Sequence, residues 1–300
     1  MKPLDVAETR ELVGLFRKLS PLDFVPEPAL PPPWLAGLRN AYLPRRPKAL
    51  LFDLYGTLFA SAAGGEPATT RAAISGEGET ARLFLEEELH ACGHIAGASA
   101  FAEVVARRIV ALRREALEGR PFPEIDIEEI VESIVPGSAA SVRRLALLFE
   151  AWSNPCAPMP GALALLERLR GGAIRLGIVS NAQFYTPLLF EALFGAPPAD
   201  AGFETILTIY SCDAGIAKPD PSLFSRAAAP LLAAGIAAGE ILVVGNSAPN
   251  DIAPAKALGF MTALFAGDGR SFRPAPADTR GRPDSLIDGL DLLDASFPTA

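Results

Sequence analysis

Five short runs of large apolar residues limit how this chain can fold. They are "ALLFDLY" from Ala49, "IRLGIVSN" from Ile174, "ETILTIYS" from Glu204, "ILVVGNS" from Ile241 and "MTALFAG" from Met261. Each is continuously apolar rather than alternating, and each ends in small or polar residues. Such runs suit strands buried on both faces, as in a parallel sheet. Helical patterns lie between several of them, over 161–170, 220–235 and 248–259. Repetition of strand, helix and strand predicts an α/β fold, a doubly wound parallel sheet of Rossmann-like form.

One stretch breaks that rhythm. Between the first and second runs no strand pattern is evident, and helical patterns occur instead over 80–90, 101–117, 127–134 and 141–152. This predicts a small all-helical domain over 61–156, opened by the flexible composition "SAAGGEPATT". The core then comprises 48–60 and 157–300, its end closed by a short strand or helix in "PDSLIDGLDLL". Residues 1–47 form an arm: a helix with Leu12, Leu15, Phe16 and Leu19 on one face, then the proline-rich "PEPALPPPW". That strap reads either as packing held by Leu, Phe and Trp34 or as a ligand for a proline-reading domain.

Composition narrows the function. Half of the residues are hydrophobic and the formal net charge is −8. An acidic balance argues against nucleic acid or an anionic membrane as partner, since both require basic patches. The arginine pairs at 45–46, 107–108, 113–114 and 143–144 read as solvated helix faces, as does Glu86-Glu87-Glu88. Cys92, Cys156 and Cys212 show neither disulfide nor zinc spacing. The first residues carry acids where a signal peptide needs an apolar stretch, so a cytoplasmic monomer or homodimer acting on a small molecule is expected.

In open parallel sheets ligands gather at the carboxyl ends of the strands. The polar residues there are Asp53 and Thr57 around the Gly56 turn, Ser180 and Asn181, Lys218 in the loop of "GIAKPDPSLF", and Asn246, Ser247, Asn250 and Asp251. All should converge on one cleft beneath the helical insert, joining a nucleophile candidate to hydroxyls, a cation and a second carboxylate. His90 and His94, four apart, are a weaker metal candidate. Asp213 reads as a loop cap and Cys92 as a packed thiol.

Four motifs in order, "LLFDLYGTLF", "LGIVSNA", "AKPDPSLF" and "VVGNSAPNDIAPAKALGF", resemble those of the haloacid dehalogenase superfamily of hydrolases over about 48–267. The helical insert is similar to that superfamily's small cap between the first two motifs. The resemblance implies that Asp53 is a nucleophile forming a covalent aspartyl intermediate. It implies that Thr57 and the Gly56 turn hold the incoming anion, that Ser180 bonds the transferring group, and that Lys218 neutralises charge. Asp251 would orient Lys218 or place metal or water. Tyr55, Asn181 and Ser247 would face the substrate. Mg²⁺ would be held by Asp53, the carbonyl of Tyr55 and Asn246.

Two positions depart from the family's phosphatases. Tyr55 stands where they carry a second aspartate. A phenol with a pKa near 10 is a poor base at neutral pH, so general acid–base help of roughly 10²–10⁴-fold should be weakened or lost. Asn246 stands where they carry an acid, which predicts weakened magnesium affinity. Three readings follow. The first is a magnesium-dependent phosphatase on a small phosphorylated metabolite. The second is a metal-independent 2-haloacid dehalogenase, whose members have tyrosine at this place but a Ser-Ser-Asn triplet where this chain has Asn246-Ser247-Ala248. These dehalogenases also use a cap arginine, for which Arg71 and Arg82 are candidates. The third is a weak or inactive binding protein on the same scaffold.

Overall fold

The computed structural model describes residues 4–19, 25–63, 78–94, 96–117, 122–276 and 281–297. After α1 (Val6–Leu19) the chain enters β1 (Ala49–Phe52) and a short strand, β2 (Phe59–Ser61). Four helices follow: α2 (Glu79–Ala91), α3 (Ala98–Leu117), α4 (Ile127–Ile134) and α5 (Ala139–Ser153). Strand β3 (Cys156–Pro158) then returns beside β2. The rest alternates through α6 (Ala162–Leu169), β4 (Arg175–Ser180), α7 (Thr186–Phe194) and β5 (Phe203–Tyr210). It continues with the single turn α8 (Ser211–Ala214), α9 (Ser222–Ala233), β6 (Ile241–Gly245), α10 (Ala253–Ala257), β7 (Met261–Phe265) and β8 (Ser285–Ile287).

The main sheet has the order β5-β4-β1-β6-β7-β8, and its pairings are all parallel. Its continuous apolarity has a simple cause, because successive side chains enter two different cores. Leu50, Phe52, Ile178, Leu242 and Val244 pack on one face with the insert, α6 and α7. Ala49, Leu51, Val179, Ile241 and Val243 pack on the other with α9 and α10. The chain moves from β1 outward in both directions, to β4 on one side and β6 on the other. Phe52 lies level with Ile178 and Val244, so the carboxyl ends of these three strands open at one place.

Three-residue strands flank the helical stretch, β2 antiparallel to β3. Two sequence expectations need correction, at Arg143 and in the proline-rich strap. Arg143 is buried rather than solvated, ion-paired to Glu8 of α1 and Glu128 of α4. The proline-rich strap is packed. Backbone bonds join Ala29 to Ala266, Asn40 to Leu286 and Leu43 to Ser296, and Leu35 is fully buried. Pro33–Leu38 turns as a 3₁₀ helix instead of continuing extended. Arg71 lies outside the described residues. Among those residues no helix is long and apolar enough to cross a membrane.

The junction of insert and sheet holds a buried polar hub. Asn154, just after α5, accepts from the Ser61 hydroxyl and the Ala63 amide through Oδ1. Its Nδ2 donates to Glu150 Oε1 at 2.8 Å, and Tyr185 donates to Glu150 Oε2 at 3.0 Å. Burial pushes the Glu150 carboxyl above its usual range, with the bonds from Asn154, Tyr185 and Tyr55 pulling back. The folded protein therefore keeps a proton that the unfolded chain releases above about pH 4.3. The stabilisation linked to that proton is present in acid and is lost as pH rises through the folded-state pKa. Glutamine cannot lose it. Urea unfolding should show Glu150→Gln gaining on the wild type between pH 4 and pH 8, by more than the roughly 0.5 kcal/mol of an ordinary surface change.

Candidate active site

Asp53 follows β1 and donates its amide to Val244 O, extending the parallel ladder by one residue. The chain then turns sharply: Thr57 and Phe59 both donate their amides to Leu54 O, and Gly56 donates to Phe59 O. Gly56 has φ +81°, and a Cβ there would sit 2.4 Å from Asn246 Nδ2 and from Ser271 Cβ. Only glycine allows both that conformation and that approach.

Lys218 is the centre of the site. Its Nζ lies 2.6 Å from Asp53 Oδ1 and 2.6 Å from Asp251 Oδ1, and it donates to Val179 O at 3.1 Å. All three charged groups are buried. Burial alone would lower the lysine pKa; the two carboxylates outweigh it and hold the amine above its ordinary value. Burial also pushes Asp251 up to about 6, opposed by Lys218 and reinforced by the Asp53 charge. Asp251 spends its second oxygen on the Ser247 amide at 3.0 Å. A Cβ at residue 245 would meet Asp251 Cγ at 2.4 Å, so Gly245 is what lets that carboxylate lie beneath the strand end.

Asp53 is left asymmetric. Oδ1 accepts from Lys218 and, at 3.1 Å, from Ser180. Oδ2 has a long contact with the Thr57 hydroxyl, 3.5 Å. That hydroxyl also lies 3.3 Å from Asn246 Oδ1, and its single proton can serve one acceptor at a time. Asn246 Nδ2 donates to Ser271 O at 2.6 Å. A carbonyl can only accept, so this bond fixes the amide with its oxygen turned toward Thr57.

The structure brings together Asp53, Thr57, Ser180, Lys218, Asn246 and Asp251. Three residues expected to face the substrate are used differently. Asn181 clasps the Lys218 backbone, accepting from its amide at 2.7 Å and donating to its carbonyl at 3.2 Å. The Ser247 hydroxyl accepts from the Asn250 amide and starts the π-type turn of Ala248–Ile252. The Tyr55 hydroxyl bonds Thr186 Oγ1 at 3.1 Å, and its ring meets Phe59 edge-on. Burial first, then Glu150 and Cys156, push this phenol well above its ordinary value. Arg82 is taken by Glu79 and Glu86 on its own helix. Sequence reasoning missed Gln183, Ser211 and Glu124, which carry no motif and meet only through the fold.

A magnesium ion needs oxygen ligands, usually one or two of them carboxylates. The Asp53 carboxylate and the Asn246 amide oxygen, both in reach of the Thr57 hydroxyl, are oxygen donors of the kind it takes. Asp251 is already committed to Lys218 and Ser247. Among the described residues no group of three or more His, Cys, Asp or Glu side chains is placed to hold a metal. The donors fit, with one anionic ligand.

A model of the haloacid dehalogenase-like hydrolase family matches residues 47–259. The phosphoserine phosphatase of Thermus thermophilus is 29% identical over 253 residues, spanning 81% of this chain and 96% of the relative. Among solved structures, the 2-haloacid dehalogenase of Pseudomonas syringae pv. Tomato covers 83% of this chain and 97% of its own, with a TM-score of 0.54 and 22% identity. A dehalogenase with an intermediate complex covers 86% and 100%, with a TM-score of 0.52 and 17% identity. At these identities the structural likeness is one of fold. The family match takes in every residue of the Asp53–Lys218–Asp251 site, and the chain belongs to the haloacid dehalogenase-like hydrolases.

Proposed function

We propose that this hydrolase is a magnesium-assisted phosphatase acting on a small phosphorylated metabolite, with Asp53 as nucleophile. The observation that carries the reading is the anchored amide of Asn246, whose oxygen shares the Thr57 hydroxyl with Asp53 Oδ2. Charge balance supports it. Asp53, Asp251 and Lys218 sum to one negative charge, against which a phosphate dianion is repelled. A divalent cation held by Asp53, Asn246 and the Tyr55 carbonyl would reverse that sign. The similarity to a phosphoserine phosphatase points the same way.

In the first step an Asp53 oxygen bonds phosphorus as the bond to the leaving oxygen breaks. In the second, water attacks phosphorus, releases phosphate and restores the carboxylate. Ser180 and Lys218 hold the other Asp53 oxygen and fix the nucleophile's orientation. Tyr55 is a poor donor for the leaving oxygen, since its pKa is raised and its hydroxyl faces Thr186. Preferred substrates are therefore those whose leaving group departs unprotonated, such as acyl or aryl phosphates.

A metal-independent dehalogenase is the second reading. It is favoured by the same tyrosine, because a departing halide needs no proton. Against it stand Ser247, spent on the turn, and Arg82, spent on its own helix.

Phosphate release from acyl and aryl phosphates should require Mg²⁺ and stop with chelator, and phosphoserine should turn over about 10²–10⁴-fold more slowly. Halide release from 2-chloropropionate that persists in chelator would overturn the phosphatase reading in favour of the second. Asp53→Asn should abolish phosphate release; full activity in that variant would remove Asp53 as nucleophile. Asn246→Asp adds a charged ligand, and calorimetric titration should show Mg²⁺ binding about tenfold tighter. The gain is limited because the new carboxylate sets an oxygen against Ser271 O.

A further inference from the structure

One segment of the helical insert grips two loops of the site at once. Phe122 O accepts the Ala217 amide at 2.8 Å, and Pro123 lies opposite Ile216 in an antiparallel bridge. The bridge ends one residue before Lys218. On its other side the segment is held by Gln183, three residues beyond Ser180. Gln183 donates to Ile125 O at 2.9 Å and accepts from the Ile127 amide at 3.1 Å. Glu124 lies between these two attachments. Its Oε1 accepts from the Ile125 amide at 2.9 Å and from Gln183 Nε2 at 3.4 Å. Its Oε2 accepts from the Ser211 hydroxyl. Ser211 in turn accepts from the Ala182 amide at 2.8 Å.

Glu124 is half-buried and both its oxygens accept hydrogen bonds, so removing it leaves those donors unsatisfied. Ser211 opens α8, which leads through Gly215 to Lys218. Ala182 and Gln183 follow Ser180 and Asn181. Glu124 is thus the point where the insert, the lysine loop and the Ser180 loop meet.

We infer that Glu124 is a positioning residue for Lys218. By anchoring Phe122–Ile125 to Ser211 and Gln183, it presses the bridge onto Gly215–Ala217 and keeps the ammonium seated between Asp53 and Asp251. The inference needs Lys218 to work in the Asp53 site, and it is independent of which leaving group departs.

The test reads Lys218 directly and uses no substrate. The full chain is acylated with an N-hydroxysuccinimide ester, and labelling of Lys218 relative to Lys256 is followed by mass spectrometry. Lys256, paired with Asp284 and partly exposed, labels in the folded state and normalises for reagent, while urea unfolding measures global stability. In the wild type the buried, doubly paired Lys218 should label slowly. In Glu124→Ala the Lys218-to-Lys256 ratio should rise about tenfold, the loss expected when hydrogen bonds to a charged group are removed. Glu124→Gln keeps an oxygen for Ser211 and should restore most of the protection. A contact that only stabilised the fold would raise Lys218 labelling no further than the loss of unfolding free energy read in urea, and such a match overturns the inference. Should Glu124→Ala fail to fold, Ser211→Ala removes a single hydroxyl and should raise the ratio in the same direction. An unchanged ratio in the folded variants overturns the inference. Because labelling needs no turnover, that failure is separate from any failure of the phosphatase reading.

Discussion

The buried ammonium of Lys218, held by two carboxylates, is the interaction on which the site depends. Removing three charges from water is expensive, and mutual attraction repays it only when geometry and hydrogen bonding are good. Here both conditions are met. Lys218 has three acceptors, Asp251 uses both oxygens, and Asp53 Oδ1 takes two donors. The backbone has been shaped around this cluster. Gly245 leaves room for Asp251, Gly56 leaves room for Asn246 and Ser271, and Asn181 ties down the Lys218 backbone on both sides. What remains open is the second oxygen of Asp53, and the reactive direction of the site follows from that asymmetry.

The same geometry explains why the two departures from the phosphatase pattern are not equivalent. Asn246 still turns an oxygen toward Thr57, without the charge of an acid. Tyr55 has changed allegiance. Its hydroxyl faces Thr186 at the start of α7 and the Glu150 carboxyl at the end of α5, so it belongs to the hub that ties the insert to the sheet. At Asn246 an oxygen remains and a charge is absent, whereas at Tyr55 the side chain has become a structural tie.

The parts of this arrangement that were legible in the sequence are those with short-range causes. Strands buried on both faces leave uninterrupted apolar runs, and helix α4 shows its face at 127–134. The site residues that end strands follow from the rule that ligands gather there. Other elements left no such trace. Helix α7 is apolar on most sides, packed between the sheet and α1, so it shows no amphipathic period. Strands β2 and β3 have three residues each and are too short to alternate. Arg143 looks like any helical arginine until Glu8, 135 residues away, closes over it. Asn181 and Ser247 have the residue types of ligand binders, and only the fold reveals that their partners are backbone.

Helix α1 adds a constraint from outside the family match, which begins at residue 47. It packs on α7, beside the sheet, and on α5, within the insert. Leu12, Val13, Leu15, Phe16 and Leu19 are buried there, each worth about 1.5–3 kcal/mol relative to exposure. Its ion pairs with Arg144 and Glu191 are partly exposed, where such pairs contribute roughly 0–1 kcal/mol. Glu8 adds an ion pair with the buried Arg143, so apolar burial and one buried charge pair together hold the helix. Lys18 also lies 4.3 Å from the centre of the Phe84 ring on α2. Any bending at the β2–β3 junction must carry α1 with one side and strip its apolar contacts from the other. The insert and the sheet are joined by two three-residue strands, and the helix that clamps them together is contributed by the arm.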